Sequence, residues 1–414
     1  MSLLCRWCVI AGLLLGLLVL PVLAKDQPSG GNRKEFLLRY HRLPGVTQEF
    51  YTSGQYLEAG NRPARLQAEP AYRSRQPLYW ALHLGVKKEA FTLVLDSSRG
   101  EKRNYDVLHV DADGDGRLTP AERLVGARSP SGLTFGPVKF EVDCGPEKCP
   151  QWFFFVVLES DTEEGAVRCR LYATNAGYYT GVVQFGSEKR QVVVADNNGN
   201  GLYHDLVTED EWEADRVWLL DRDGKLDGTH RSPQAQPLTR WLEVGGRYWQ
   251  VEVAPDGSAL TVEPLDLPLG TLRSDLHEYT VLLRSGEGTL RVHGKDGTAR
   301  VPAGKYQLLQ CAYRAPRGSE RHLQFTADAP EKGFAVQIPA GGTAEVPFGP
   351  PLVPRVVVSA AGAGELNLDL DLRGRGGERY REVSYNGSSR PLPAQVEIQD
   401  ANGRRLTLLD FHYG

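Results

Sequence analysis

The sequence predicts a mainly β protein built from several antiparallel, sandwich-like modules, with short helices following two acidic loops. Three observations carry this expectation. Gly 45 and Pro 26 are abundant in a chain of 414 residues, which favours short strands joined by turns over long helices. Segments of apolar–polar alternation, or short apolar runs, recur along the chain. Turn signals such as Pro255-Asp256-Gly257 and Lys295-Asp296-Gly297 punctuate them. The balance of 48 Lys plus Arg against 52 Asp plus Glu, net −4, excludes the basic footprint of a nucleic-acid binder. With 41% hydrophobic and 24% charged residues, the chain has the composition of ordinary globular domains.

Residues 1–24 read as a secretory signal peptide: Arg6 supplies the positive start, residues 9–20 the apolar core, and Ala24 a small residue for cleavage. That apolar run is shorter than the ~20 residues of a spanning helix, and no later segment reaches this length. A secreted or periplasmic protein, without a membrane span once the signal is removed, is therefore expected. Residues 25–70 form a polar leader with weak strand signals around 35–40. A β-rich domain follows over 71–265. Its strands are expected at 78–85, 91–96, 105–110, 138–142, 152–158, 167–173, 180–185, 191–195, 241–244, 248–253 and 259–263. Pro268 and Gly270 mark a boundary. A second module covers 266–345, with strands at 279–283, 289–293, 299–301 and 306–311. Residues 346–414 are a C-terminal β segment of short strands and Gly-rich turns, either separate or part of that module.

Cys5 and Cys8 leave with the signal, so Cys144, Cys149, Cys169 and Cys311 remain, and three full pairings are open. Cys144 and Cys149 bracket a Gly145-Pro146 turn, whereas Cys169 and Cys311 stand in alternating strands as buried thiols would. Neither a second close pair nor a neighbouring His makes a zinc site.

The chemistry lies in a coarse repeat. The strand at 105–110 runs into Asp111, and about 85 residues later the strand at 190–195 runs into Asp196. Each acidic, Gly-bearing loop precedes a Thr-x-x-Glu signal, at 119–122 and 208–211, which predicts a helix start. In the first loop Asp111, Asp113 and Asp115 alternate, so their side chains converge, and Gly116 permits a sharp bend. The Arg117 carbonyl follows, Thr119 can hold a ligand water, and Glu122 closes the shell with two oxygens. A hard cation wanting six to eight oxygens at about 2.3–2.6 Å needs this set at this spacing. Leu118 would hold the loop against a core. In the second loop Asp196, Asn198 and Asn200 offer oxygens, Gly201 bends and Leu202 gives its carbonyl. Position twelve is Val207, so Asp205, or Glu209 or Glu211, would have to supply the missing acid. Asp221 and Asp223 begin a third, degenerate loop whose fifth position is Lys225 and whose twelfth is Ser232. It reads as a possible completion of the second rather than an independent centre.

Residues 111–122 resemble the EF-hand calcium loop at every defining position, which implies Ca2+ as the bound group. The incoming element is a strand rather than a helix and no paired hand is present, so a structural cation is expected rather than a sensor. Over 105–122 and 190–227 the strand-plus-loop layout resembles exported bacterial proteins of unknown function with EF-hand-like loops. Residues 301–308 resemble the hairpin entry of transthyretin-like and other immunoglobulin-like sandwiches.

The sequence has no H-E-x-x-H, no G-x-S-x-G and no phosphate-cradling loop. Leu95-Asp96-Ser97-Ser98 reads as a strand-end turn, and Trp80, Trp152, Trp212, Trp218, Trp241 and Trp249 read as core rather than sugar platforms. The expectation is a calcium-binding, exported β protein with a binding or structural role in the cell envelope. Its partner there would be a protein or polysaccharide. The alternative is an exported hydrolase using carboxylates scattered among these loops.

Overall fold

Alternation along most of the chain becomes pleated sheet with apolar positions inward in the computed structural model, whereas apolar residues of the C-terminal strands, such as Val357, Leu366 and Leu408, are exposed. The structure describes residues 32–46, 52, 54–101, 103–129, 132–161, 167–208, 213–220, 235–316, 322–330, 332–362, 365–385 and 395–410. The expected signal peptide, Trp212, Glu209, Glu211 and the third acidic loop lie outside them. No helix among the described residues is long and apolar enough to cross a membrane.

Two sheets enclose the first core. Strands Leu78–Leu84, Glu89–Asp96, Val107–Val110 and Arg123–Val125 form an antiparallel sheet in that order. Facing it is a five-stranded sheet in the order Gln55–Leu57, Val167–Asn175, Lys148–Asp161, Gly132–Asp143, Ala127–Ser129. Trp80, Leu82, Leu93 and Leu108 of one sheet meet Phe140, Phe153, Phe155 and Leu171 of the other. These rings meet edge to face, Phe91 against Phe140 at 5.0 Å between centroids. Cys144 and Cys149 are joined by a disulfide at the turn of the Gly132–Asp143/Lys148–Asp161 hairpin. Cys169 and Cys311 are free thiols, half-buried and buried.

A second five-stranded sheet runs Ala235–Pro237, Arg216–Leu220, Glu188–Ala195, Gly177–Phe185, Arg39–Arg42. Its apolar face, with Val183, Val192, Val194 and Val217, packs on Leu242, Trp249, Val251 and Leu260. The latter belong to a large sheet that begins at Lys34–Leu37 and continues through Ala259–Pro264, Arg247–Val253 and Trp241–Val244 into the C-terminal half. Its core there gathers Tyr279, Val281, Leu290, Val301, Tyr313 and Phe348. The polar leader thus supplies an edge strand to each of three sheets: Lys34–Leu37, Arg39–Arg42 and Gln55–Leu57. Trp80, Trp218, Trp241 and Trp249 are buried, while Trp152 is half-buried under the Arg42 guanidinium at 5.2 Å.

The expected short helices are corrected. No α-helix occurs among the described residues; after the first loop the chain makes one 3-10 turn, Pro120–Glu122, and passes directly into Arg123–Val125. The reason is local. Glu122 turns back to close the loop, and Arg123-Leu124-Val125 pairs with Val107–Val110 before a second helical turn can form. Beyond the second loop, residues 205–207 are irregular and 209–212 lie outside the described set.

Candidate metal centres

The first loop grows from Val107–Val110, whose residues are all buried. The Asp111 N–H continues that ladder by donating to Thr92 O at 2.9 Å, which fixes Asp111 at the sheet end with its side chain buried. Gly116, at φ +77°, then bends the chain back, a conformation open to glycine at little cost. The Gly116 N–H donates to Asp111 Oδ1 at 3.3 Å, Asp115 N–H to Asp113 Oδ1 at 3.1 Å, and Arg117 N–H to Asp115 Oδ1 at 2.7 Å. These bonds turn the acids inward. One oxygen each from Asp111, Asp113 and Asp115 lies within 4.8 Å of the others.

Glu122, the expected closing acid, ties the two ends of the loop together but is not part of that three-acid group. Its Oε1 accepts Ala112 N–H at 3.1 Å, and its Oε2 accepts the Thr119 N–H and hydroxyl at 2.9 Å each. Asp111 Oδ2 is left buried with no hydrogen-bond partner. Burial pushes the Asp111 carboxyl above its usual range; the Gly116 N–H and Arg65 oppose this, while Glu122 and Asp113 add to it. An unsatisfied buried acceptor of this kind costs roughly 1–3 kcal/mol, and more when charged.

The outer side of the loop is held by a strap from the leader. Gln67 N–H donates to Gly116 O at 2.7 Å, and Leu118 N–H to Ala68 O at 2.9 Å. Leu118 packs on Leu66 and Val94, as its place in the loop predicts. A Cβ on residue 116 would stand 2.6 Å from Arg65 O, so the strap can approach only a glycine.

The second loop repeats this frame on Glu188–Ala195. The Gly201 N–H donates to Asp196 Oδ2 at 2.8 Å, Asn200 N–H to Asn198 Oδ1 at 3.1 Å, and Leu202 N–H to Asn200 Oδ1 at 2.8 Å. Asp205 lies against this loop, its Oδ2 accepting the side-chain amides of Asn198 at 3.1 Å and Asn200 at 2.6 Å. Leu202 packs in the first core and Tyr203 in the core that holds Val192, Val217 and Trp249, so the loop joins the two sandwiches. Val207, at position twelve, packs on Ala214 and Leu282 and offers nothing to a cation.

Sequence reasoning missed Asp215, which is hydrogen-bonded to the second loop, although Asp196, Asp205 and Asp215 do not each bring an oxygen within 4.8 Å of the others. Asp215 Oδ1 accepts Asn197 N–H at 3.1 Å and its Oδ2 accepts Asp205 N–H at 2.8 Å. Those are the second and tenth positions of the loop, against the second and ninth that Glu122 holds in the first. Sheet register explains how it arrives. Ala195 pairs with Arg216, so the next step along this antiparallel pair sets Asp196 opposite Asp215. The available signal was an acid just before an apolar strand, but its partner strand is not written in the sequence. Both carboxyls are fully buried. Burial raises Asp196 to about 7 against hydrogen bonds from Gly201 and Gly199, with the Asp205 charge adding to the rise. Asp215 is raised by burial first, then by the charges of Asp196 and Asp205. Like charges set opposite each other in a sheet are unfavourable without a compensating group.

The turn at Asp96 is structural: its Oδ1 accepts the N–H of Ser74 and Ser97, and its Oδ2 that of Arg73. Comparison with family models, with curated proteins and with solved structures gives no match, so functional assignment of this chain rests on the two loops themselves.

Proposed function

We propose that this chain binds calcium at both loops, and that the cations are structural. Asp111, Asp113, Asp115, the Arg117 carbonyl and Glu122 would hold the first. Asp196, Asn198, Asn200, the Leu202 carbonyl and Asp215 would hold the second, with Asp205 beside them. The observation that carries the reading is the buried, partnerless Asp111 Oδ2 beside the Asp113 and Asp115 carboxylates, in a loop already closed by Glu122. An all-oxygen, carboxylate-rich set favours a hard cation over zinc or copper. A structural role is supported by where the loops sit. The first pins the leader strap, and the second joins two cores through Leu202 and Tyr203. Export to an oxidising compartment, with a binding or structural role in the cell envelope, is part of the same reading. The signal-like N-terminus and the Cys144–Cys149 disulfide support it.

Calorimetric titration tests it. Two calcium events are expected, with dissociation constants on the order of 10⁻⁴–10⁻³ M as in extracellular modules. The second weakens as the pH falls from neutrality toward 5, because Asp196 keeps its proton up to about 7, and the first weakens at a higher pH than an ordinary aspartate would dictate, because burial raises Asp111. Without the cation, the raised Asp196 costs stability as pH rises from its unfolded value, about 4, toward 7. Over that range the unfolded chain has released a proton the folded chain retains. Calcium removes this cost, so its stabilising effect grows with pH. A titration without heat or saturation at neutral pH contradicts the proposal.

A further inference from the structure

The core of the C-terminal half ends before its sheet does. Leu372, in the strand Glu365–Arg373, packs against the core that holds Leu272, Val301 and Ile338. Leu370, Leu368 and Leu366 follow at two-residue steps, so alternation puts them on the same face. Their cross-strand partners are Val356, Val358 and Ala360 of Val353–Gly362. Together these side chains prolong the face of the core along a two-stranded ribbon. Glu365–Arg373 meets its other neighbour, Arg379–Tyr385, only at Leu372 and Arg373, and Val353–Gly362 is the last strand of the sheet. The opposite face carries Arg355, Ser359, Asn367 and Asp369 around Val357. The apolar face stands open: Val358 is 56% and Leu366 67% exposed.

A second ribbon of the same kind follows it in the chain. Gln395–Gln399 and Arg405–Asp410 pair only with each other. Val396 is set against Leu409 and Ile398 against Thr407, which gathers the apolar side chains and a threonine methyl on one face. A two-stranded ribbon alone is at best marginally stable in water, so each of the two needs a cover for its apolar face. We propose that the C-terminal hairpin closes over the first ribbon as a lid. Val396, Ile398 and Leu409 then pack on Val356, Val358, Leu366 and Leu368, and the core is prolonged to the end of the sheet. The occupant is argued from continuity and from the tether. The face to be covered runs on from an existing core at Leu372, so the lid adds a layer where one stops. Both apolar faces are two strands wide. The hairpin is also held beside its target: Tyr380 pairs with Leu372, and the link 386–394 reaches up to roughly 30 Å when extended. A short tether of this kind gives a millimolar effective concentration, far above that of a second copy in micromolar solution. Neither ribbon carries a residue of the acidic loops, so this closure is separate from the cation reading.

The test is amide hydrogen exchange, read by mass spectrometry, on the mature full-length chain in saturating calcium. Uncovered ribbons exchange nearly as fast as open chain, so slow exchange over 354–372 reports a cover. Val396→Asp with Leu409→Asp is expected to speed exchange there roughly tenfold or more. Leu408→Asp, on the other face of the hairpin, leaves it unchanged. Val358→Asp, which keeps the hairpin sequence intact, speeds exchange over 395–410 in return. That reciprocal effect keeps the test decisive should the hairpin variant lose its own pairing. The parent pattern is expected to be the same after tenfold dilution. Unchanged exchange over 354–372 in the Val396 and Leu409 variant overturns the inference, as does an equal response to Leu408→Asp. Protection that fades on dilution also overturns it, because the cover would then be a second copy.

Discussion

Removing calcium with EDTA lowers the melting temperature by about 5–10 °C at neutral pH. The size follows from mass action. A cation held at about 100 times its dissociation constant, which for the affinities expected above means roughly 10–100 mM calcium before chelation, stabilises the folded state by roughly 2.7 kcal/mol. For domains of about 150–250 residues each kcal/mol moves the midpoint by roughly 2–4 °C. The double substitution Asp111→Ala with Glu122→Ala removes the contribution of the first loop. It takes away the buried Oδ2 that lacks a partner and the carboxylate bridging Ala112 and Thr119. The variant therefore melts lower in calcium and responds less to EDTA, by thermal unfolding followed at both conditions. Equal melting of the parent chain with and without calcium would remove the structural role.

Substituting Asp215 by Asn abolishes the second calcium event while leaving the first. Disrupting a buried charge contact costs about 3–5 kcal/mol, equivalent to a loss of about 10²–10⁴ in affinity. Asn retains an acceptor for one of the two N–H groups that Asp215 serves, at Asn197 and Asp205, but not the second negative oxygen. The result separates two roles. If Asp215 is a ligand, the stability loss is much larger in calcium than in EDTA, where the variant also escapes the repulsion between buried Asp196 and Asp215. Equal loss under both conditions would make Asp215 a hydrogen-bond acceptor and no more.

The strands and the first loop were legible because both are local. Period-two alternation marked the Leu78–Leu84 and Arg247–Val253 strands, and a short, mostly apolar run marked Val107–Val110. The spacing of Asp111, Asp113 and Asp115 gave their convergence, since alternate residues on a tight loop share a side. What failed was where a local signal had two uses. Thr119 and Glu122 have the spacing of a helix start, yet Glu122 closes the loop and the chain returns to strand. Asp215 was hidden for the opposite reason. Its role depends on a pairing between Glu188–Ala195 and Arg216–Leu220, and strand partners are set by global topology rather than by spacing. The leader illustrates the same point, since its short strands pair with elements more than a hundred residues away, as Leu57 does with Leu171.

Native mass spectrometry of the mature chain in millimolar calcium tests the central claim most directly. The account predicts a folded species carrying two calcium ions, reduced to one by Asp215→Asn. A folded chain of bare polypeptide mass under those conditions would contradict it.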